Sequence, residues 1–347
     1  MKAREAKRIA AQWVDENVAH LPGFYGAYLA GGIHRMSEDD TFPPYVDVDV
    51  HVILDRANES GQRQDSYLYH DVIVESYYVD RGAYESWEMV ASNPLEGQSF
   101  RSLGVIADPT GRLTAIQEMV AQNFYRLQFL EERCAKLHET IMATLDDEQK
   151  SSSMAPMLRL LANVHYLIAN ARLKDPTNRR AMRQVREILH ADGRQDLYES
   201  ILALHGFTHV SREETEYRLQ ECLRAFDRAV EVFRTPFWSD HRIHPYVRPY
   251  VADGAQEMIQ EGYHREAMPW IVWNHVVANV AIQNDAPEDE KRQFQESFDR
   301  IYGGTNTWYG NRNWPTKSDT LLIRSVVEDL FRWVDDALAS NPDVEEG

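Results

Sequence analysis

The run Val46–Val52, VDVDVHV, alternates apolar and polar residues without a break. Only a half-buried strand satisfies that period of two, because side chains two apart share a face of a pleated backbone. Val46, Val48, Val50 and Val52 then enter a core, while Asp47, Asp49 and His51 line the opposite face. Two carboxylates side by side repel and raise each other's proton affinity unless a cation lies between them. A hard divalent ion such as Mg²⁺, which takes oxygen ligands, resolves the conflict. Just upstream, the short apolar strand Phe24–Ala30 ends in Gly31-Gly32, a pair that lets the backbone turn sharply and lets a bulky anion such as a phosphate approach closely.

An apolar residue and two glycines, Ala30-Gly31-Gly32, followed by the strand Asp47-Val48-Asp49, resemble the signature of the polymerase-beta type nucleotidyltransferase superfamily. Fourteen residues, Ile33–Val46, separate the two motifs, and the second glycine stands where many members have Ser. The resemblance implies an α/β N-terminal domain with a short mixed sheet and an all-α domain behind it. It also implies Mg²⁺-dependent transfer from a nucleoside triphosphate, with ATP expected, to an acceptor hydroxyl. Asp47, Asp49 and a third carboxylate on a neighbouring strand would hold two Mg²⁺ ions. Gly31 and Gly32 would present backbone N–H groups to the phosphates, with His34 and Arg35 adding contacts.

The third carboxylate is expected on the strand Tyr67–Val79, which is rich in β-branched and aromatic residues. Its alternation puts Asp71, Ile73 and Glu75 on one face; Glu75 in Ile73-Val74-Glu75-Ser76 matches the superfamily position, with Asp71 and Asp80 as competitors. The polar stretch Asp55–Ser66 reads as a hairpin connection. Asp80–Ala91 reads as a helix, Ser102–Ala107 as a short strand, and Asp108-Pro109-Thr110-Gly111 as a turn.

From Leu113 the apolar period becomes 3.6 and stays so, which places a boundary near residue 112: a nucleotidyltransferase-like domain over 1–112, with its sheet carrying helices on one side, and a helical domain over 113–347. Helices are expected at Ser152–Leu173, Asn178–Ala191, Gln195–His205, Arg212–Phe233, Pro269–Asn284, Glu288–Tyr302 and Ser318–Ala339. The segment Asp175–Arg180 reads as a Pro-broken turn ending in a capped helix start, Tyr302–Trp314 as an aromatic loop suited to a substrate platform, and Asp343–Glu346 as an acidic tail. Glu131, Glu132 and Glu139 are available as a general base.

Thirty-seven basic against 55 acidic residues give a net charge of −18, which disfavours a nucleic-acid substrate and favours a cationic acceptor. Resemblance to aminoglycoside adenylyltransferases fits that balance and the two-domain order, so a cationic small molecule such as an aminoglycoside is the acceptor expected. Cys134 and Cys222 stand in helical sequence without zinc-site spacing and are expected as reduced thiols. No uninterrupted apolar run reaches membrane-spanning length, and a cytoplasmic location is expected. The alternative is a regulatory or toxin–antitoxin module joined to a helical RNase-like domain of the HEPN group, for which Arg159 and His165 are the matching pair. Six residues apart, those two lie about 240° apart around a helix and do not share a face.

Overall fold

The computed structural model describes residues 1–43, 45–102, 104–146, 154–303 and 317–345. The aromatic loop from residue 304 and the last acidic residue, 346, lie outside these.

Helix α1 (Ala3–Asn17) leads into strands β1 (Phe24–Leu29), β2 (Asp47–Leu54), β3 (Asp65–Tyr69) and β4 (Val72–Asp80). Helices α2 (Trp87–Ala91) and α3 (Glu96–Phe100) and strand β5 (Val105–Ala107) follow. The sheet order is β3-β4-β2-β1-β5, mixed as expected: β2 and β4 run parallel and the other neighbours antiparallel. Val48, Val50 and Val52 of β2 are fully buried against Ile9, Trp13 and Val14 of α1, joined by Val72 and Val74 of β4. The opposite face carries a second core of Tyr25, Tyr28, Ile53, Tyr84, Phe100, Leu113 and Val120. Helices therefore cover both faces rather than one, because Ile53 is apolar on the face that Asp47 and Asp49 share.

Where one strand is expected over Tyr67–Val79, the chain makes two. His70 and Asp71 both have positive φ, 46° and 61°, and form a two-residue turn that pairs Tyr69 with Val72. Such turns match the twist of antiparallel strands, and Asp tolerates the left-handed region. Asp71 is thus a turn residue, not a member of the Glu75 face. Asp55–Ser66 is no hairpin either: it carries the chain past the slot of β4 to the sheet edge, with Ser66 already inside β3. Asp80–Ala91 is a 3₁₀ turn at Arg81–Tyr84 followed by the short α2.

At the expected turn, the Asp108 carboxylate accepts from the Thr114 N–H at 2.8 Å and caps helix α4 (Arg112–Asn123). Beyond it, the regular elements among the described residues are helical: α5 (Leu127–Asp146), α6 (Met154–Ala171), α7 (Ala181–Ala191), α8 (Gln195–His205), α9 (Arg212–Val232), α10 (Arg248–Gln260), α11 (His264–Asp285), α12 (Glu288–Tyr302) and α13 (Lys317–Ala339). Helix α10 has no counterpart among the expected elements. Pro269 lies inside α11 as its sixth residue, past the first turn, and removes one N–H from the helical ladder. No helix of the described residues is long and apolar enough to cross a membrane.

Compactness divides the chain into two units. One gathers Met1–Phe129 with Ser239–Tyr250 and Glu345; the other comprises Leu130–Trp238 and Val251–Val344. Ser239–Tyr250 therefore belongs with the sheet, although more than a hundred residues of helical sequence precede it.

Candidate active site

The buried valines of β2 fix which way its acids point, and the β2–β4 register fixes what they meet. Asp49 pairs with Glu75 across the parallel ladder, and Asp47 with Ile73 one step back on the same face. Carboxylate oxygens of Asp47, Asp49 and Glu75 all lie within 4.8 Å of one another, an oxygen donor set of the kind a hard divalent ion takes. Asp47 and Asp49 are partly exposed at their strand, whereas Glu75 is only 2% exposed.

These carboxylates do not hold protons alike. Burial, then the charges of Asp49 and Glu75, push Asp47 well above the carboxylate range. Burial and Glu75 push Asp49 up to about 7, against the pull of Arg242 and Arg35. Burial opposes ionisation of Glu75 too, but there the Arg242 charge and the His241 and Tyr77 hydrogen bonds prevail and hold it well below its ordinary value. Glu75 is therefore the charged member, while the aspartates are crowded in a way that a cation between them relieves.

The glycine turn meets the acidic strand directly. Ala30 N–H donates to the Asp49 carbonyl at 2.9 Å, which sets Gly31 beside the Asp49 side chain. Gly31 has φ +63°, and a Cβ there would stand 1.8 Å from Asp49 Oδ2. Gly32 differs: its φ of −74° and ψ of −34° suit any residue, and nothing lies within 4 Å of where its Cβ would be. Gly32 instead leads a 3₁₀ turn, Ile33–Arg35. His34 is buried with Nδ1 2.7 Å from the Gly31 carbonyl and Nε2 without a protein partner. Burial first, then Arg35, lowers its pKa to about 4, so its imidazole is neutral. Arg35 is exposed by area yet crowded. Burial, then Arg101, lowers its pKa to about 10, while Asp49 pulls it up.

Glu75 is held from a place the sequence does not announce. Its Oε1 accepts from Gln64 Nε2 at 2.7 Å and from the Tyr77 hydroxyl at 2.6 Å, and His241 Nε2 lies 3.2 Å away. Arg242 Nη2 is 3.9 Å from Oε2. His241 and Arg242 lie on the Ser239–Tyr250 strap, which is tied to the sheet unit at both ends. Asp240 pairs with Arg63 at 2.7 Å, and the Tyr246 hydroxyl donates to the Ser66 carbonyl at 2.6 Å. The trace of the strap in the sequence is the polar run Ser239–His244 between Pro236 and Pro245, which has the composition of a linker.

Other candidates fall elsewhere. His51, although on the acidic face, has Nδ1 2.7 Å from the Tyr28 hydroxyl, which also meets the Tyr84 hydroxyl at 2.8 Å. Asp80 accepts from the Ala57 N–H at 2.7 Å, at the far end of β4. Arg180 pairs with Glu257 at 2.7 Å, and its N–H donates to Thr177 Oγ1 at 3.4 Å within the turn, but α7 starts without a side-chain cap, so the expected capped helix start is not formed. Glu131, Glu132 and Glu139 are exposed on α5. Arg159 is exposed while His165 is buried, its Nε2 3.2 Å from His205 Nε2. Both cysteines are buried free thiols.

No family model matches the chain, and no curated protein matches it. Among solved structures it is similar to a nucleotidyltransferase-like protein from Exiguobacterium sibiricum 255-15, at 14% identity and a TM-score of 0.28, over 94% of this chain and 91% of that one. A likeness so weak carries no inference about function.

Proposed function

We propose that the chain transfers a nucleotidyl group from a nucleoside triphosphate, ATP being the nucleotide expected, to a hydroxyl of a small acceptor. One observation carries this: Gly31 is pressed against Asp49 where only glycine fits, and Asp49 stands with Asp47 and Glu75 in a single oxygen cluster. A Gly-Gly turn that was only a loop would have no reason to abut the acid. Asp47, Asp49 and Glu75 fit Mg²⁺, which when bound neutralises phosphate charge and lowers the pKa of an attacking hydroxyl. Gly31 and Gly32 would offer to the phosphate oxygens their backbone N–H groups, which an alanine would keep. His34, neutral and held by the Gly31 carbonyl, orients the turn, and Arg35 places a positive charge beside it. The work of such a site is positioning and charge neutralisation.

The acidic balance of the chain supports a cationic acceptor, with aminoglycosides the class of choice, and disfavours nucleic acid. The RNase alternative has no support from Arg159 and His165, since one is exposed and the other is packed in a core against His205. The test is incubation with labelled nucleoside triphosphates and Mg²⁺ over an acceptor panel that includes cationic sugars. Acceptor-dependent pyrophosphate release with label on the acceptor is the expected result. RNA cleavage without triphosphate would overturn the proposal.

A further inference from the structure

Three carboxylates and a divalent ion make a complete metal centre, yet the strap adds a permanent cation to it. Arg242 is 8% exposed, with Nη2 3.9 Å from Glu75 Oε2, and its charge also acts on Asp47 and Asp49. A guanidinium does not shed its proton, so it is positive whenever the strap is in place. The strap is fixed by the Arg63–Asp240 pair, the Tyr246 hydroxyl on Ser66 and the buried Ile243 and Val247. Gln64, Tyr77 and His241 all gather at Oε1, which leaves Oε2 facing the guanidinium. A cation held there draws the carboxylates together when no ion is present, and it opposes the entry of another cation.

We propose that Arg242 is the resident counter-ion of the acidic centre, a positioning residue that keeps Asp47, Asp49 and Glu75 assembled without metal and makes the divalent ion arrive together with the triphosphate. The triphosphate supplies the negative charge that offsets the guanidinium. This rests on the nucleotidyl-transfer reading of the same site and adds the order of binding to it.

Mn²⁺ binding to the full chain, followed by the electron paramagnetic resonance of the free ion, tests the proposal. Titrations are run with and without a non-hydrolysable triphosphate analogue, with the analogue's own Mn²⁺ affinity subtracted. A unit charge a few ångströms from a divalent ion changes its binding by at least about tenfold. Without nucleotide, Arg242→Gln is therefore expected to bind Mn²⁺ at least about tenfold more tightly than the parent, and Arg242→Lys to bind like the parent. The parent is expected to gain at least about tenfold when the analogue is present. Equal or weaker Mn²⁺ binding by a folded Arg242→Gln would show the guanidinium to be structural only. If that variant does not fold, the parent decides: equal Mn²⁺ affinity with and without the analogue overturns the proposal. Mn²⁺ binding by no form under any condition would remove the nucleotidyl-transfer reading along with it.

Discussion

Replacing Gly31 by Ala tests the link between the phosphate turn and the acidic strand, and Gly32→Ala is its internal control. At φ +63° an L residue costs about 1–2 kcal/mol relative to glycine. The new Cβ would also lie 1.8 Å from Asp49 Oδ2 and 2.9 Å from its Cγ, so the carboxylate must rotate away. Forcing that side chain off its rotamer adds about 0.5–1.5 kcal/mol. Gly31→Ala is therefore expected to lose about 1.5–3.5 kcal/mol of stability and, because Asp49 leaves the cluster, at least tenfold in Mn²⁺ affinity with a triphosphate analogue present. Gly32→Ala meets nothing within 4 Å and already has helical backbone angles. Restricting its unfolded state stabilises by about 0.4–1 kcal/mol, and metal affinity should stay within twofold of the parent. Urea unfolding and Mn²⁺ titration of both variants provide the readouts. If Gly31→Ala matches Gly32→Ala in both, the turn does not support Asp49, and the observation that carries the proposed function is lost.

Asp47→Asn and Asp49→Asn mimic the protonated forms that burial and crowding already favour, so urea midpoints without metal should hold or rise while nucleotidyl transfer disappears. Glu75→Gln should behave oppositely in stability, because it takes one negative partner from the buried Arg242; removing one partner of a buried pair costs at most about 3–5 kcal/mol, and turnover should fall about a hundredfold, both read against Asp47→Asn. Asp71→Asn, in the left-handed hairpin turn, should leave transfer and stability near those of the parent, and a large loss of transfer would return it to the site. Burial lowers the pKa of His165 to about 4, and burial followed by His165 puts His205 well below 6.5. The unfolded chain therefore takes up their protons first, and the contribution of these two imidazoles to stability is constant above about 6.5 and falls as pH drops toward about 4. Replacing both by Gln should remove about 1.4 kcal/mol per pH unit for each imidazole from the slope of denaturant-derived stability, and an unchanged slope would refute the assignment.

The sequence by itself determined that Val48, Val50 and Val52 are core and that Asp47 and Asp49 share a face, because a strand's period of two leaves no other way to bury the valines. It also placed Glu75 on a different strand from Asp47 and Asp49 and located the change to helical periodicity, since local pattern decides both. It did not distinguish Gly31 from Gly32, whose letters are identical but whose φ values and neighbours are not. It ran β3 and β4 together, because His70-Asp71 breaks neither the alternation nor the β-branched composition; only pairing of Tyr69 with Val72 reveals the turn. The tertiary structure alone decided what holds Glu75. His241 and Arg242 reach it from a segment with the composition of a linker, and no local signal reports a contact made across more than 160 residues of chain. A buried carboxylate needs a partner, but burial is a property of the fold, so the partner's identity becomes visible only when the strap is seen against the sheet.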